Sequence, residues 1–324
     1  MNTSLLSLLA SAACVLATAT DARAQLRHAV TDAPIIVVAR HVGVRPLGNE
    51  LFLHRFESVS TWKGEAPDAF TIAERKRVAD APRPSIGPDR LLCLRPDPAA
   101  ARFPADRGPY FVRLGYAGDD PVITEDDART SSYRQLVDAL LASEAGASPG
   151  ATAAALSDIA TRGTGPARVE AAESLRSRPV LRDALTPIRR EGLLATAVAV
   201  ADTDLELTES LASLCAEAGQ AGVVDALCVA LRSVDDPRLA RALGRIARHV
   251  AGEAATEALA PYLREARGPL RDRLLLAIGT TATESGLELL LGLRTKDGAS
   301  AGVDAALRAH GSPRAMEVLR IEKR

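Results

Sequence analysis

Aromatic side chains are scarce in this sequence. They make up only 3% of its 324 residues, whereas hydrophobic residues as a whole make up 47%. Strands are enriched in aromatic and β-branched residues, so a large β-sandwich would need more of them. The abundance of alanine and leucine instead favours small helices that pack closely together.

The chain also lacks an excess of charge of either sign. Its formal net charge is −1, residues 25–145 carry 16 Lys/Arg and 17 Asp/Glu, and residues 146–324 carry 23 of each. A nucleic-acid-binding surface needs a concentration of positive charge. We therefore predict no nucleic-acid partner.

Common catalytic signatures are missing as well. The sequence contains no HExxH, CxxC, GxGxxG or Walker pattern, and each of these would place ligands or phosphate-binding amides at a fixed spacing. We therefore predict neither an enzyme nor a cofactor. The alternative is an envelope hydrolase whose site lies in a cleft between two domains.

The first 24 residues are typical of an export leader. An apolar segment covers residues 5–16, and Ala22-Arg23-Ala24 supplies small residues where a signal peptidase requires them. Cleavage there would leave Gln25 first and the protein periplasmic or extracellular. The alternative is a structural lipoprotein anchored through Cys14. No later apolar run approaches the ~18 residues of a membrane span.

Three cysteines remain after such a cleavage: Cys93, Cys215 and Cys228. An odd number in an exported protein leaves at least one thiol free or bonded to another chain. Cys215 and Cys228 flank a predicted turn at residues 219–222, where facing positions of a helical hairpin suit the geometry of a disulfide. A Cys215–Cys228 bond is one prediction, and two buried thiols are the alternative.

The first part of the mature chain has the pattern of β-strands. Two β-branched or alternating segments flank the turn sequence Pro46-Leu47-Gly48-Asn49, which predicts a long antiparallel hairpin. Five short strands in about 110 residues favour a small closed barrel, because closure removes exposed strand edges. The predicted strands and the helix after them cover residues 34–44, 51–61, 69–73, 90–95, 110–114 and 131–143.

Two segments carry a family resemblance. Residues 56–64 read FESVSTWKG and residues 87–94 read GPDRLLCL. They resemble exported bacterial domains of the TIMP/netrin-like OB-barrel type, which implies an OB-like barrel over residues 25–145. The metalloprotease inhibitors of that group chelate zinc through an N-terminal cysteine. The predicted mature chain begins with Gln25, so the resemblance does not imply protease inhibition.

From about residue 147 the pattern becomes helical. Short Ala/Leu-rich segments are each ended by Gly, Pro or Asp. About six helical hairpins are predicted, and neighbouring hairpins would have to stack to bury their apolar faces. The segments are 150–162, 166–177, 180–190, 192–201, 207–218, 221–232, 237–249, 252–264, 269–281, 284–293, 300–310 and 313–320.

Three stretches of this region share a pattern. They begin with ALGRI at residues 242–246, LAIG at 276–279 and AALRAHG at 305–311, and equivalent positions are about 35 and 29 residues apart. They resemble the short bacterial HEAT repeats related to phycobilisome-lyase repeats. The resemblance implies an α-solenoid over residues 146–324 and implies no lyase activity. The overall expectation is an α+β protein with an OB-like β-barrel followed by an α-solenoid.

Two histidines are weak candidates for metal ligands. His41 and His54 lie almost symmetrically about the hairpin turn and are predicted to be cross-strand neighbours. Two imidazoles make half of a zinc site, and Glu57 and Asp32 are the carboxylates considered for completing it. The alternative is a pair of polar side chains on a solvated strand face.

Four arginines are the candidate binding residues. Arg238, Arg241, Arg245 and Arg248 follow helical spacing, so several of them share one face. They are predicted to bind a protein partner, and a plain solvated face is the alternative. The function predicted from the sequence is an exported protein-interaction or scaffold module of the bacterial cell envelope.

Overall fold

The computed structural model describes residues 25–47, 51–75, 87–114, 121–123, 131–298 and 300–321. The predicted leader and Cys14 lie outside the described residues. Contacts between Cα atoms divide the described chain into two compact units. One contains the residues up to Ala155 together with Gly163–Glu170, and the other contains Leu156–Arg162 and the residues from Ala171 onward.

The first unit is built on a six-stranded sheet. Five strands form a hydrogen-bonded ring in the order β1–β2–β3–β5–β4, with β4 pairing back to β1, and β6 pairs with β4. β3 and β5 are parallel, whereas the other pairs are antiparallel. The strands are β1 Ile35–Pro46, β2 Leu51–Lys63, β3 Ala69–Arg75, β4 Asp89–Pro96, β5 Tyr110–Arg113 and β6 Val122–Ile123.

The predicted hairpin is confirmed. β1 and β2 pair from Ile36 opposite Lys63 to Pro46 opposite Phe52. The register shifts three times along β1, the last time between His41 and Gly43. Such bulges bend a strand and increase its twist, which allows β1 to pair with β2 along its length and with β4 at its first half.

The inner face of the ring holds an apolar core. Alternate residues of each strand point to the same face, and aromatic rings form a column: Phe56 stacks on Phe70, whose edge meets Phe111. The cluster is formed by Ile35, Val37, Ala39, Phe56, Phe70, Ile72, Leu92, Leu94 and Phe111.

Two helices accompany the sheet: α1 (Gln25–Asp32) and α2 (Ser132–Glu144). Lys63 at the end of β2 donates to the carbonyl oxygen of Val30 on α1 at 3.0 Å. Arg134 on α2 lies over the Trp62 ring at 5.3 Å, a cation–π arrangement. α2 was predicted, whereas the sequence pattern gave no sign of the short α1.

Twelve further helices follow in the described residues. Proline at the first turn and side-chain caps begin many of them; Asp204 accepts from the amide of Leu207 and Thr283 from that of Gly286. The helices are α3 Pro149–Arg162, α4 Ala167–Arg176, α5 Pro179–Asp183, α6 Pro187–Ala199, α7 Leu205–Glu217, α8 Val223–Ser233, α9 Pro237–Ala251, α10 Ala255–Glu265, α11 Gly268–Thr281, α12 Glu284–Asp297, α13 Ala301–His310 and α14 Pro313–Ile321.

Two predicted segments, 180–190 and 192–201, have wrong limits, because one helix runs from Pro187 to Ala199. Residues 180–190 were expected to form a single helix, but α5 ends at Asp183 and α6 begins at Pro187. Pro187 cannot donate a backbone hydrogen bond, and it disfavours the helical conformation of the preceding Thr186. The proline therefore starts a new helix.

Alternate helices of the second unit pack against one another. α9 contacts both α7 and α11, and α11 also contacts α13. A Cβ added at Gly244 on α9 would lie less than 3.0 Å from Ala277 O, and one added at Gly279 on α11 would lie less than 3.0 Å from Ala306 O. These helices therefore approach through glycine, at backbone distance.

Polar links join helices that are not consecutive. Arg245 on α9 pairs with Glu209 on α7, and Arg182 on α5 pairs with Glu217 on α7 at 3.0 Å. A buried hydroxyl pair joins Thr256 to Thr283 at 2.7 Å. No helix in the described part of the chain combines the length and apolarity that crossing a membrane requires.

Candidate functional site

The two candidate histidines lie together. Nδ1 of His54 is 3.3 Å from Nε2 of His41, and the ring centroids are 5.2 Å apart. The His41 ring also contacts Phe56, which belongs to the inner-face core. The predicted cross-strand pair is confirmed, but the alternative of a solvated face is wrong, because His41 is only 5% exposed.

An ion pair lies next to the histidines. Glu74 on β3 pairs with Arg113 on β5, and Nε2 of His54 is 3.8 Å from a Glu74 oxygen. Glu74 and Arg113 each follow an inner-face residue by two positions, Ile72 and Phe111, so strand alternation places them on that face. Neither residue was predicted from the sequence: alternation could have assigned both to the inner face, but only the pairing of β3 with β5 brings them together near His54.

These groups do not form a metal centre in the structure. Among the described residues, no group of three or more His, Cys, Asp or Glu is placed to hold a metal ion. Glu57, considered as a third ligand, pairs across the strands with Arg40 and follows the inward-facing Phe56 by one position. It therefore lies on the opposite face of the sheet from His54.

The four candidate arginines occupy the exposed side of α9. Arg238 pairs with Asp236 at 2.8 Å, Arg245 with Glu209, and Arg248 with Glu253 at 2.6 Å. Hydrogen bonds from the side chain and amide of Arg238 hold the pKa of Asp236 below its ordinary value. The exposed ridge of α9, formed by Arg238, Arg241, Arg245 and Arg248, is therefore a surface of mixed charge.

Arg241 differs from its three neighbours on the ridge. It is exposed, and no carboxylate in the described part of the chain lies within the 4.0 Å of an ion pair. Arg241 could therefore bind a partner without first breaking an ion pair to a described residue, unlike Arg238, Arg245 and Arg248. The role of all four arginines in binding stays a prediction.

The two helical cysteines are separate thiols. Cys215, Cys228 and Cys93 are buried, and none of them forms a disulfide with another described residue. This agrees with the alternative of two buried thiols and not with the predicted Cys215–Cys228 bond. The Cys215 thiol donates to the carbonyl oxygen of Arg190 at 3.5 Å. Cys215 therefore packs toward α6, away from a bond with Cys228 on α8.

One hydrolase-like pattern was overlooked in the sequence. Residues 146–150 read GASPG, which matches the GxSxG of serine hydrolases. A nucleophile elbow requires a strand before that serine, but here α2 precedes it. The Ser148 hydroxyl accepts from the amide of Ala151 at 3.2 Å, so the structure uses it to cap α3.

Tyr262 and Asp225 link α10 to α8. The Tyr262 hydroxyl donates to an Asp225 oxygen at 2.5 Å. This hydrogen bond is the main reason that the pKa of Tyr262 is raised from 10.0 to about 12, since it stabilises the neutral phenol. The link contributes stability below pH 10 that is lost as the pH rises toward 12.

We expect Asp225→Asn to move the pKa of Tyr262 back toward 10. The amide cannot supply the negative charge that opposes phenolate formation. The measurement is a spectrophotometric titration of tyrosine absorbance, with the difference between variant and wild-type curves assigned to one phenol. Superimposable curves would contradict the predicted role of Asp225.

Comparison with protein-family models, curated proteins and solved structures yields no match for this chain. The two family resemblances therefore depend on their sequence motifs and on the architecture, in which an N-terminal sheet precedes a helical region.

Proposed function

We propose that the protein is an exported binding or scaffold module of the bacterial cell envelope. An OB-type barrel forms its first domain, and an α-solenoid forms its second and presents the exposed ridge of α9 to a protein partner. The observation that carries the proposal is the repeated glycine contact along α9, α11 and α13.

The ring of strands supports the barrel. The strand order β1–β2–β3–β5–β4, closed by the β4–β1 pair and containing one parallel pair, β3–β5, fits a five-stranded Greek-key barrel. Such barrels host many unrelated functions. The fold of the first unit therefore selects no activity by itself.

The glycine contacts support the solenoid. Gly244 on α9 contacts Ala277 on α11, and Gly279 on α11 contacts Ala306 on α13. Gly244 and Gly279 are 35 residues apart and their partners 29 apart, the steps predicted from the sequence pattern. A repeated contact of this kind builds an extended surface from neighbouring hairpins, which suits binding to another protein.

The ridge of α9 is the proposed partner surface. Arg245 already links α9 to Glu209 of α7, so it serves the packing of the helices. Arg241 forms no ion pair with another described helix and is solvent-exposed. A charged side chain at the rim of an interface governs association and specificity more than stability, so the partner would offer an acidic group to Arg241.

The test is a charge reversal with a matched control. We expect Arg241→Glu to reduce photo-crosslinking to the partner from a probe at the exposed position 249 of α9 by about tenfold or more. Arg264→Glu, an exposed arginine on α10, should leave the crosslink unchanged. Both variants should keep a free energy of unfolding within about 0.5 kcal/mol of the wild type.

The experiment is carried out in bacterial cells, with the envelope fraction analysed by intact mass. A mature chain that begins at Gln25 supports export, and a full-length chain in the cytosol contradicts it. Equal crosslinking by the Arg241→Glu and Arg264→Glu chains would rule out the ridge as the partner surface.

A further inference from the structure

A cavity of about 290 Å³ lies over the first unit's sheet. Gly43, Arg55 and Thr71 form one row across β1, β2 and β3, because Gly43 pairs with Arg55 and Arg55 with Thr71. Leu53 lies on the same face of β2 as Arg55, two positions away. The cavity is lined by Gly43, Val44, Arg45, Leu53, Arg55, Thr71, Asp106 and Arg107.

Arg55 is held in place by the backbone around the cavity. Its Nη1 donates to the carbonyl oxygens of Arg107 and Gly108 at 3.3 and 3.4 Å. The buried Thr71 hydroxyl donates to the same Arg107 oxygen at 2.6 Å. These bonds fix the guanidinium of Arg55 through Nη1, and no described residue accepts from its Nε or Nη2.

The charge of the cavity wall is positive. Arg107 is balanced by Asp106 at 3.1 Å. Neither Arg45 nor Arg55 has a carboxylate within ion-pair distance among the residues that the structure describes. Two arginines that face one cavity and have no ion-pair partner among the described residues favour an anion. The planar guanidinium matches a carboxylate or phosphate in two-point contact.

The remaining walls select among anions. Leu53 supplies aliphatic surface beside the two arginines, whereas Val44 pairs with His54 and so lines the cavity with its backbone. The volume is at the lower end for small-molecule sites. A Cβ added at Gly43 would meet no heavy atom within 4 Å, so the space above Gly43 is open. We propose that this cavity binds a small carboxylate with a short apolar tail, whose carboxylate contacts Arg45 and Arg55 and whose tail contacts Leu53 in the open space above Gly43.

The test uses the mature chain and four probes: acetate, butyrate, butyramide and inorganic phosphate. Ligand-detected NMR and isothermal titration should show butyrate binding about tenfold more tightly than acetate, because two more methylene groups are buried. Butyramide, the neutral analogue, should show no binding. Butyramide binding as tightly as butyrate, or phosphate binding more tightly, would overturn the proposal.

Two variants locate the binding in the cavity. Arg55→Gln should weaken butyrate binding at least tenfold, whereas Arg95→Gln, an exposed arginine on β4, should not change it. Gly43→Val keeps Arg55 and its backbone bonds but fills the open space, so it should abolish binding without lowering the melting temperature. A Gly43→Val chain with wild-type butyrate affinity would overturn the proposal even if Arg55→Gln proved unstable.

Discussion

Replacing Gly279 by alanine is expected to lower the free energy of unfolding by about 3 kcal/mol. The added Cβ would lie less than 3.0 Å from the O, C and Cα atoms of Ala306. These are backbone atoms of α13, so no side-chain rotation relieves the overlap and the two helices must move apart. Urea unfolding followed by helical circular dichroism measures the change.

The same substitution at an open position is the control. Gly292 lies within α12, and a Cβ there would meet no heavy atom within 4 Å. Gly292→Ala should therefore raise the free energy of unfolding by about 0.5–1 kcal/mol, because alanine loses less conformational entropy than glycine in a helix. Equal effects of the two substitutions would refute the close approach of α11 to α13.

Cys215 and Cys228 are expected to react with a thiol reagent about a thousandfold more slowly in the folded protein than an exposed cysteine does. Burial raises the pKa of each thiol from 9.0 to about 12. At pH 8 the reactive thiolate is then rarer by about three orders of magnitude. The rate is measured with an aromatic disulfide reagent in a chain that begins at Gln25 and carries Cys93→Ala, so that two thiols are followed.

Denaturant supplies the control for this experiment. When the same chain is unfolded without reductant, both thiols should react at once, because the burial that raised each pKa is gone. Rapid reaction in the folded state would show that the helices do not enclose these cysteines. Fewer than two reactive thiols after unfolding would show that Cys215 and Cys228 are bonded after all.

Local signals in the sequence predicted much of the architecture. The β1–β2 hairpin follows from two strand-like segments around a Pro-Gly turn, and most helix limits follow from proline and glycine. The glycine pattern at Gly244 and Gly279 marked equivalent positions, which the structure places in equivalent contacts. In each case the information lies within a few neighbouring residues, so periodicity and turn chemistry suffice.

The surroundings of the candidate residues were not predictable in the same way. The carboxylate that pairs with Arg245 comes from Glu209, 36 positions away on another helix. The pattern of α9 alone therefore reads as a basic stripe. Likewise, Arg113 pairs with Glu74 beside His54 only because β3 and β5 are neighbours in the ring, a pairing that no local signal encodes.

The helices of the second unit are linked to helices that lie close to them in the sequence. The polar links and glycine contacts described between its helices join residues only 25 to 37 positions apart. Short loops close at a low entropic cost, and a low contact order is typical of rapid folding. If the second unit is the proposed solenoid, nucleation at any adjacent pair of its helices is enough, with the remaining helices added one neighbour at a time and the terminal ones fraying first.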